Sequence, residues 1–299
     1  MNELLLVGVL IVWAGQAEAE AQEKAQEQKA QGAARLKLMK ETASRFEIHR
    51  NGPRPAKPEL VPQPVLRWDN PDSFVVDGAT FIWLTDQRPE VIGAMWFKNG
   101  RSHFELHSLS PEPLSARFDR IPCWSTSRPG IRWQAVPDAP PPAASRAGRL
   151  RQMKRLAEDF KIHAIKTAPD FDEGSVWRYR LMAQPAHRYA EEAAVDGAIF
   201  AFAQGTDPEA FLLLESRTEK GEPGGENGES RGEKGKARWH FAFAAACGWE
   251  MHAQHGEREV WVLQNWLLQD DRERVYGFVG PFAVDPKLFP PNMTIGNER

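Results

Sequence analysis

Cysteine is nearly missing from this chain: Cys123 and Cys247 are the only two in 299 residues. That excludes a disulfide-built scaffold. At most a single Cys123–Cys247 bridge could form in an oxidising compartment, the alternative being two separately buried thiols. An excess of one charge is lacking too. Lys and Arg total 38 against 41 Asp and Glu, a formal net charge of −3. The two signs are interspersed, with no basic stripe to follow a polyanion, so nucleic acid is not an expected partner.

Long apolar runs are also absent. Residues 4–13 form an apolar stretch of ten, well short of the roughly 20 residues that cross a bilayer as a helix. The stretch fits the core of a signal peptide, and Ala17-Glu18-Ala19 and Ala19-Glu20-Ala21 offer small-x-small cleavage patterns. Residues 1–19 are therefore expected to be a signal peptide, although Glu3 stands where a basic residue is usual. The mature protein is expected to be periplasmic or extracellular, without a stable membrane span. No P-loop, G-x-G-x-x-G, H-E-x-x-H or C-x-x-C is present, which removes the commonest nucleotide, protease and redox motifs. Gly228-Glu-Ser230-Arg-Gly232 matches the nucleophile elbow by letters only. Its polar, glycine-rich surroundings offer neither the preceding strand nor the following helix that the elbow needs.

What the chain does contain is self-similarity. The segment from Leu36 to His49 aligns without gaps to that from Leu150 to His163, with seven of fourteen positions identical. Leu36, Met39, Ala43 and Phe46, like Leu150, Met153, Ala157 and Phe160, step along one stripe of a helix. The match continues through Arg67-Trp68 and Arg188-Tyr189, then Asp77-Gly78-Ala79 and Asp196-Gly197-Ala198. It ends with Pro89-Glu90 and Pro208-Glu209, and with His103-Phe104 and His240-Phe241. Alternating aromatics predict half-buried strands over 79–83 and 198–202, each followed by another, over 91–97 and 210–216. Asp77-Gly78 and Asp196-Gly197 read as turns before them. Short connections make these neighbours antiparallel.

The predicted fold is α+β, a tandem duplication of a helix plus an antiparallel meander. Its segments are a polar helical extension (20–34), a first unit (35–135), a Pro-rich linker (136–147), a second unit (148–285) and a tail (286–299). A polar loop at 217–237, dense in Gly and charge, reads as disordered.

Candidate chemistry is sparse. On a strand, His103, Glu105 and His107 share one face, and two imidazoles with a carboxylate suit Zn²⁺ or Fe²⁺. The second unit has His240, Ala242 and Ala244 at those places, so such a site would belong to the first unit alone. Asp77, Asp196, Glu90 and Glu209 recur in both units and could supply paired carboxylates, although turns account for them more simply. Arg67 and Arg188 are expected to pair with a sheet carboxylate or stack on a ring. Eleven Trp residues supply core, or a platform for a saccharide or protein partner.

Across Arg67-Trp68-Asp-Asn70-Pro71, Asp77-Gly78-Ala79-Thr-Phe81-Ile-Trp83 and Asp196-Gly197-Ala198-Ile-Phe200-Ala-Phe202, the chain resembles a family of uncharacterised exported proteins of planctomycete bacteria. The resemblance implies export and carries no activity. The residues point to a non-enzymatic binding protein whose ligand, a protein or small molecule such as a saccharide, sits at the junction of two units. The alternative is a metal-dependent enzyme built on His103, Glu105 and His107.

Overall fold

The computed structural model describes residues 3–166, 174–191, 195–218, 237–265 and 275–289. Helix α1 (Glu3–Ser44) opens the chain. Its Ala, Glu, Gln and Lys content favours helix without any need for packing, and residues 20–30 are exposed throughout. Packing begins near Gly32, and Met39 and Ala43 are fully buried. The helix ends one step earlier than its apolar stripe suggests, so that Phe46 starts strand β1 (Phe46–Arg50) while still joining the same core. Helix α2 (Arg146–Glu158) ends likewise just before Phe160, the first residue of β10 (Phe160–Lys166). Ser145 caps α2, its Oγ accepting from the Gly148 amide at 3.1 Å.

After β1 come β2 (Glu59–Leu60), β3 (Leu66–Asn70), β4 (Val75–Thr85), β5 (Arg88–Lys98), β6 (Arg101–Ser108), β7 (Leu114–Phe118), β8 (Ile121–Ser125) and β9 (Gln134–Ala135). After α2 and β10 come β11 (Ser175–Leu181), β12 (His187–Glu191), β13 (Val195–Gln204), β14 (Asp207–Thr218), β15 (Ala237–Ala245), β16 (Glu250–His255), β17 (Arg258–Leu263) and β18 (Tyr276–Ala283). Two helices with antiparallel sheets make this an α+β fold. In the first half β3, β4, β5 and β6 pair in sequence and β1, β7 and β8 form a second ladder. In the second half β12, β13, β14 and β15 pair in sequence, and β10, β16 and β17 form the matching ladder. The hairpin tips are tight: Asp86-Gln87 and Asn99-Gly100 have positive φ at both positions, the geometry that two-residue hairpins prefer.

The chain-terminal strands cross over. β9, which ends the first half, pairs with β15 of the second. β18, which ends the second half, pairs with β6 of the first. The segment 276–283, which falls within the second unit's expected bounds, is thus an edge strand of the first sheet. Phe289 and Leu288 beyond it pack on the first core, and the Leu288 carbonyl accepts from Arg35 at 2.7 Å.

Among the described residues three large cores stack in layers, beside a small fourth cluster of Trp68, Val75 and Ala94. One lies between α1 and the first sheet, through Met39, Phe81, Trp83 and Phe104; one lies between α2 and the second, through Met153, Phe200, Leu212 and Phe241. The third joins the sheets face to face, through Ile82, Ile92, Ile199, Phe211 and Leu213. Sheets covered on both faces explain why β4 and β14 are buried nearly throughout, where the aromatic alternation had suggested half-buried strands.

Asp77-Gly78 and Asp196-Gly197 are not turns. Both lie inside strands, β4 and β13. Each glycine leaves room for an aromatic ring from the neighbouring strand: a Cβ on Gly78 would stand 2.6 Å from the Trp68 ring, and one on Gly197 2.5 Å from the Tyr189 ring. Each aspartate is gripped by two arginines. Asp77 accepts from Arg35 of α1 at 2.9 Å and from Arg67 at 2.8 and 2.9 Å. Asp196 accepts from Arg149 of α2 at 2.6 Å and from Arg188 at 2.8 and 3.0 Å. Arg67 and Arg188 do pair with a sheet carboxylate, and the pairing fastens each helix to its sheet. The polar loop falls mostly outside the described residues; of its ends, Arg217 belongs to β14 and Ala237 to β15. Ser230 is outside them altogether.

Candidate functional site

Where the sheets meet, each half inserts a hairpin tip into the other, and the two insertions differ. At the first tip Arg88 opens β5 and reaches Glu215 of β14, giving two bonds of 2.7 and 2.8 Å. Glu215 also accepts from Tyr189 at 2.7 Å and from Arg217 at 2.8 Å. The two guanidinium groups lie 5.9 and 4.3 Å from the Trp133 ring. This carboxylate is fully buried, with its charge met by cations and donors.

The second tip carries Asp207 where the first carries Arg88. Glu215 stands opposite Gly197 across the β13–β14 ladder. At the corresponding register of the first sheet, opposite Gly78, stands Trp96. Trp68 takes the position of Tyr189, and Lys98 follows Trp96 by two residues as Arg217 follows Glu215. Instead of a closed ion-pair knot, this junction holds a cavity of about 250 Å³ with Trp68, Trp96 and Trp249 in its walls. Glu105, Asp207 and Glu209 supply its carboxyl groups, and Tyr276, Cys247 and Gly248 separate it from a neighbouring cavity of about 510 Å³ lined by His107.

The carboxyl groups come from both halves and are poorly compensated. Glu209 has Lys166 at 4.0 Å. Asp207 accepts from the Asn70 amide at 2.9 Å, while Thr206 beside it bonds the Asp69 carbonyl at 2.8 Å and pins the tip to β3. Glu105 takes a hydrogen bond from Tyr276. Burial and the nearby Glu209 charge push the Asp207 carboxyl up to about 8, against the opposing Asn70 bond. Burial first, then Glu209, raises Glu105 well above the usual carboxylate range. Burial raises Glu209 as well, with Lys166 and Cys247 opposing. Lys166 sits 4.2 Å from the Trp177 ring and 5.7 Å from that of Trp249, an ammonium held between indoles beside a carboxylate.

Of the three residues on the β6 face, Glu105 and His107 face this junction. His107 is 3% exposed, and burial depresses its imidazole to about 3, so it is neutral. Its Nε2 lies 3.4 Å from Glu105 Oε1 but has no hydrogen-bond partner among the described residues. His103 does not join them; its ring stacks on Trp96 at 5.3 Å and also contacts Phe278. Among the described residues no group of three or more His, Cys, Asp or Glu is arranged to hold a metal ion. The Zn or Fe site expected at His103, Glu105 and His107 is therefore not assembled, because aromatic stacking claims the first member.

Of the two cysteine arrangements the sequence allowed, the bridge is not formed. Cys123 and Cys247 are both free thiols and pack against different cores. Burial raises Cys123 to about 11 and, with the Glu209 charge, raises Cys247 well above the ordinary thiol range, so neither is a ready nucleophile. Of the recurring carboxylates, Glu90 is bonded to Arg50 at 2.6 Å, and Asp77 and Asp196 serve the helix clamps. Glu209 alone reaches the cavity.

Sequence reasoning missed Asp207, Lys166 and Tyr276. The usable signal was the pair of mismatches between the aligned segments, Arg88 against Asp207 and Glu215 against Trp96. In comparisons with protein-family models, curated proteins and solved structures, nothing matches the chain.

Proposed function

We propose that this is an exported, non-enzymatic binding protein that takes a small ligand in the cavity between two halves descended from one duplicated unit. The observation that carries the reading is the contrast between the junctions. At one, the Glu215 knot fills the interface with its own ion pairs. At the other, equivalent register positions surround a cavity with indole rings and under-compensated carboxyl groups. A pocket of mostly apolar walls with a few convergent polar groups is the usual form of a ligand site. Descent from one unit is supported by the matched pairing orders, the paired aspartate clamps and the paired glycine–aromatic contacts. Export is supported by the apolar segment and the cleavage patterns before residue 20.

The test is a panel of saccharides, amines, amino acids and organic acids added to the purified mature chain, read by tryptophan emission and melting temperature. A true ligand raises the melting point by mass action and shifts emission, and loses both effects in Ala246→Trp, which fills the cavity wall. A panel without any response, or a response that survives Ala246→Trp, removes the proposal.

A further inference from the structure

Resting on the junction cavity as the binding site, we propose that its ligand is a small organic cation. Its charged nitrogen would sit among Glu105, Asp207 and Glu209, with its carbon body against Trp68, Trp96 and Trp249.

The protein's other junction supplies the precedent. There the cation is its own Arg88, delivered by a hairpin tip to Glu215 and the Trp133 ring. At the cavity the corresponding tip residue is Asp207, so the acid and the aromatic walls are present while no side chain of the tip brings the positive charge. Lys166 is a second precedent: an ammonium between two indoles, 4.0 Å from Glu209. It is committed there and to Gln204 at 3.2 Å. Lys98, half-buried in the cavity wall, makes no ion pair with the three carboxyl groups among the described residues.

His107 backs Glu105 from beyond the cavity wall. Its buried Nε2, without a hydrogen-bond partner among the described residues, faces Glu105 from the adjoining cavity. Burial and the Glu209 charge favour the protonated forms of Asp207 and Glu105, which would ionise once a cation arrives, and indole faces attract alkylammonium groups. Binding must then release protons. The proton leaves a carboxyl group for solvent as the cation takes its place, so charge balances with no other reactant.

The probes are 1,4-diaminobutane and tetramethylammonium, with butane-1,4-diol as the neutral match and cellobiose as the saccharide arm. They are titrated calorimetrically into the full mature chain near neutral pH, in two buffers of different ionisation enthalpy. The proposal expects at least one amine to bind with net proton release, the diol to bind at least tenfold more weakly, and Asp207→Asn and Glu209→Gln each to weaken the amine at least tenfold. Circular dichroism checks the fold of each variant, and the second substitution serves if the first misfolds. Equal binding of amine and diol, amine binding without proton release, or unchanged affinity in both variants overturns the cation. Cellobiose binding with no amine binding also overturns it while leaving the cavity as a ligand site. Failure of every probe to bind overturns it too, and a blank in the wider panel then removes the site itself.

Discussion

Asp207 shows how one side chain can tie stability to acidity. Its folded-state pKa, pushed up to about 8 by burial and by Glu209, lies above the value near 4 expected in an unfolded chain. A carboxyl raised in the folded state contributes stability that is complete below about pH 4 and lost as pH climbs through about 8. Glu105 and Glu209 are shifted in the same direction, Lys166 opposes, and Asn70 offers Asp207 a neutral donor. Denaturant unfolding should therefore show stability falling between about pH 5 and pH 8, by on the order of 3 kcal/mol. Asp207→Asn should flatten much of that slope. An equal slope in the variant would show that Asp207 titrates normally. Only part of this site could be read from the sequence. Period-two spacing brought out Glu105 and His107, but Asp207 looked like an ordinary turn residue. Its partner Asn70 lies 137 positions away, at a contact created by sheet packing rather than by any local pattern.

At the scale of elements, the glycines inside β4 and β13 mark where strands carry their neighbours' rings. Gly78→Ala would drive a methyl group into the Trp68 indole, and Gly197→Ala would do the same to the Tyr189 phenol. Each should cost roughly 1–3 kcal/mol, as overpacking does, measured by chemical denaturation. An effect below about 0.5 kcal/mol would mean that the ring moves aside freely. The helix stripes and the long hairpins were legible because each is a local periodicity or a repeated dipeptide, whereas of the arginine clamps only Arg67 and Arg188 stood out, without Arg35, Arg149 or the role of the aspartates. Asp77-Gly78 was misread since the same two letters serve a turn and a ring-bearing strand, and only the facing residue separates them. β9 and β18 left no comparable trace. One is two residues long, and the other contains Gly277, Gly280 and Pro281, letters that speak for a loop until a partner edge is available.

For the whole molecule, the exchange of β9 and β18 makes each half depend on the other for an edge strand. A chain ending at residue 275 would lack β18 and the Leu288–Phe289 plug, leaving the β6 edge without its outer partner. Amides of residues 101–108 that bond β18 should then lose hydrogen-exchange protection along with a lowered melting point. Protection equal to that of the full chain would show that the exchanged strand contributes little. The same exchange sets a timetable for biosynthesis. The first sheet cannot be completed until residue 283 has emerged, although its other strands are finished by residue 108. A chain emerging unfolded therefore holds the closure of its first sheet back until the strands of the second have been made.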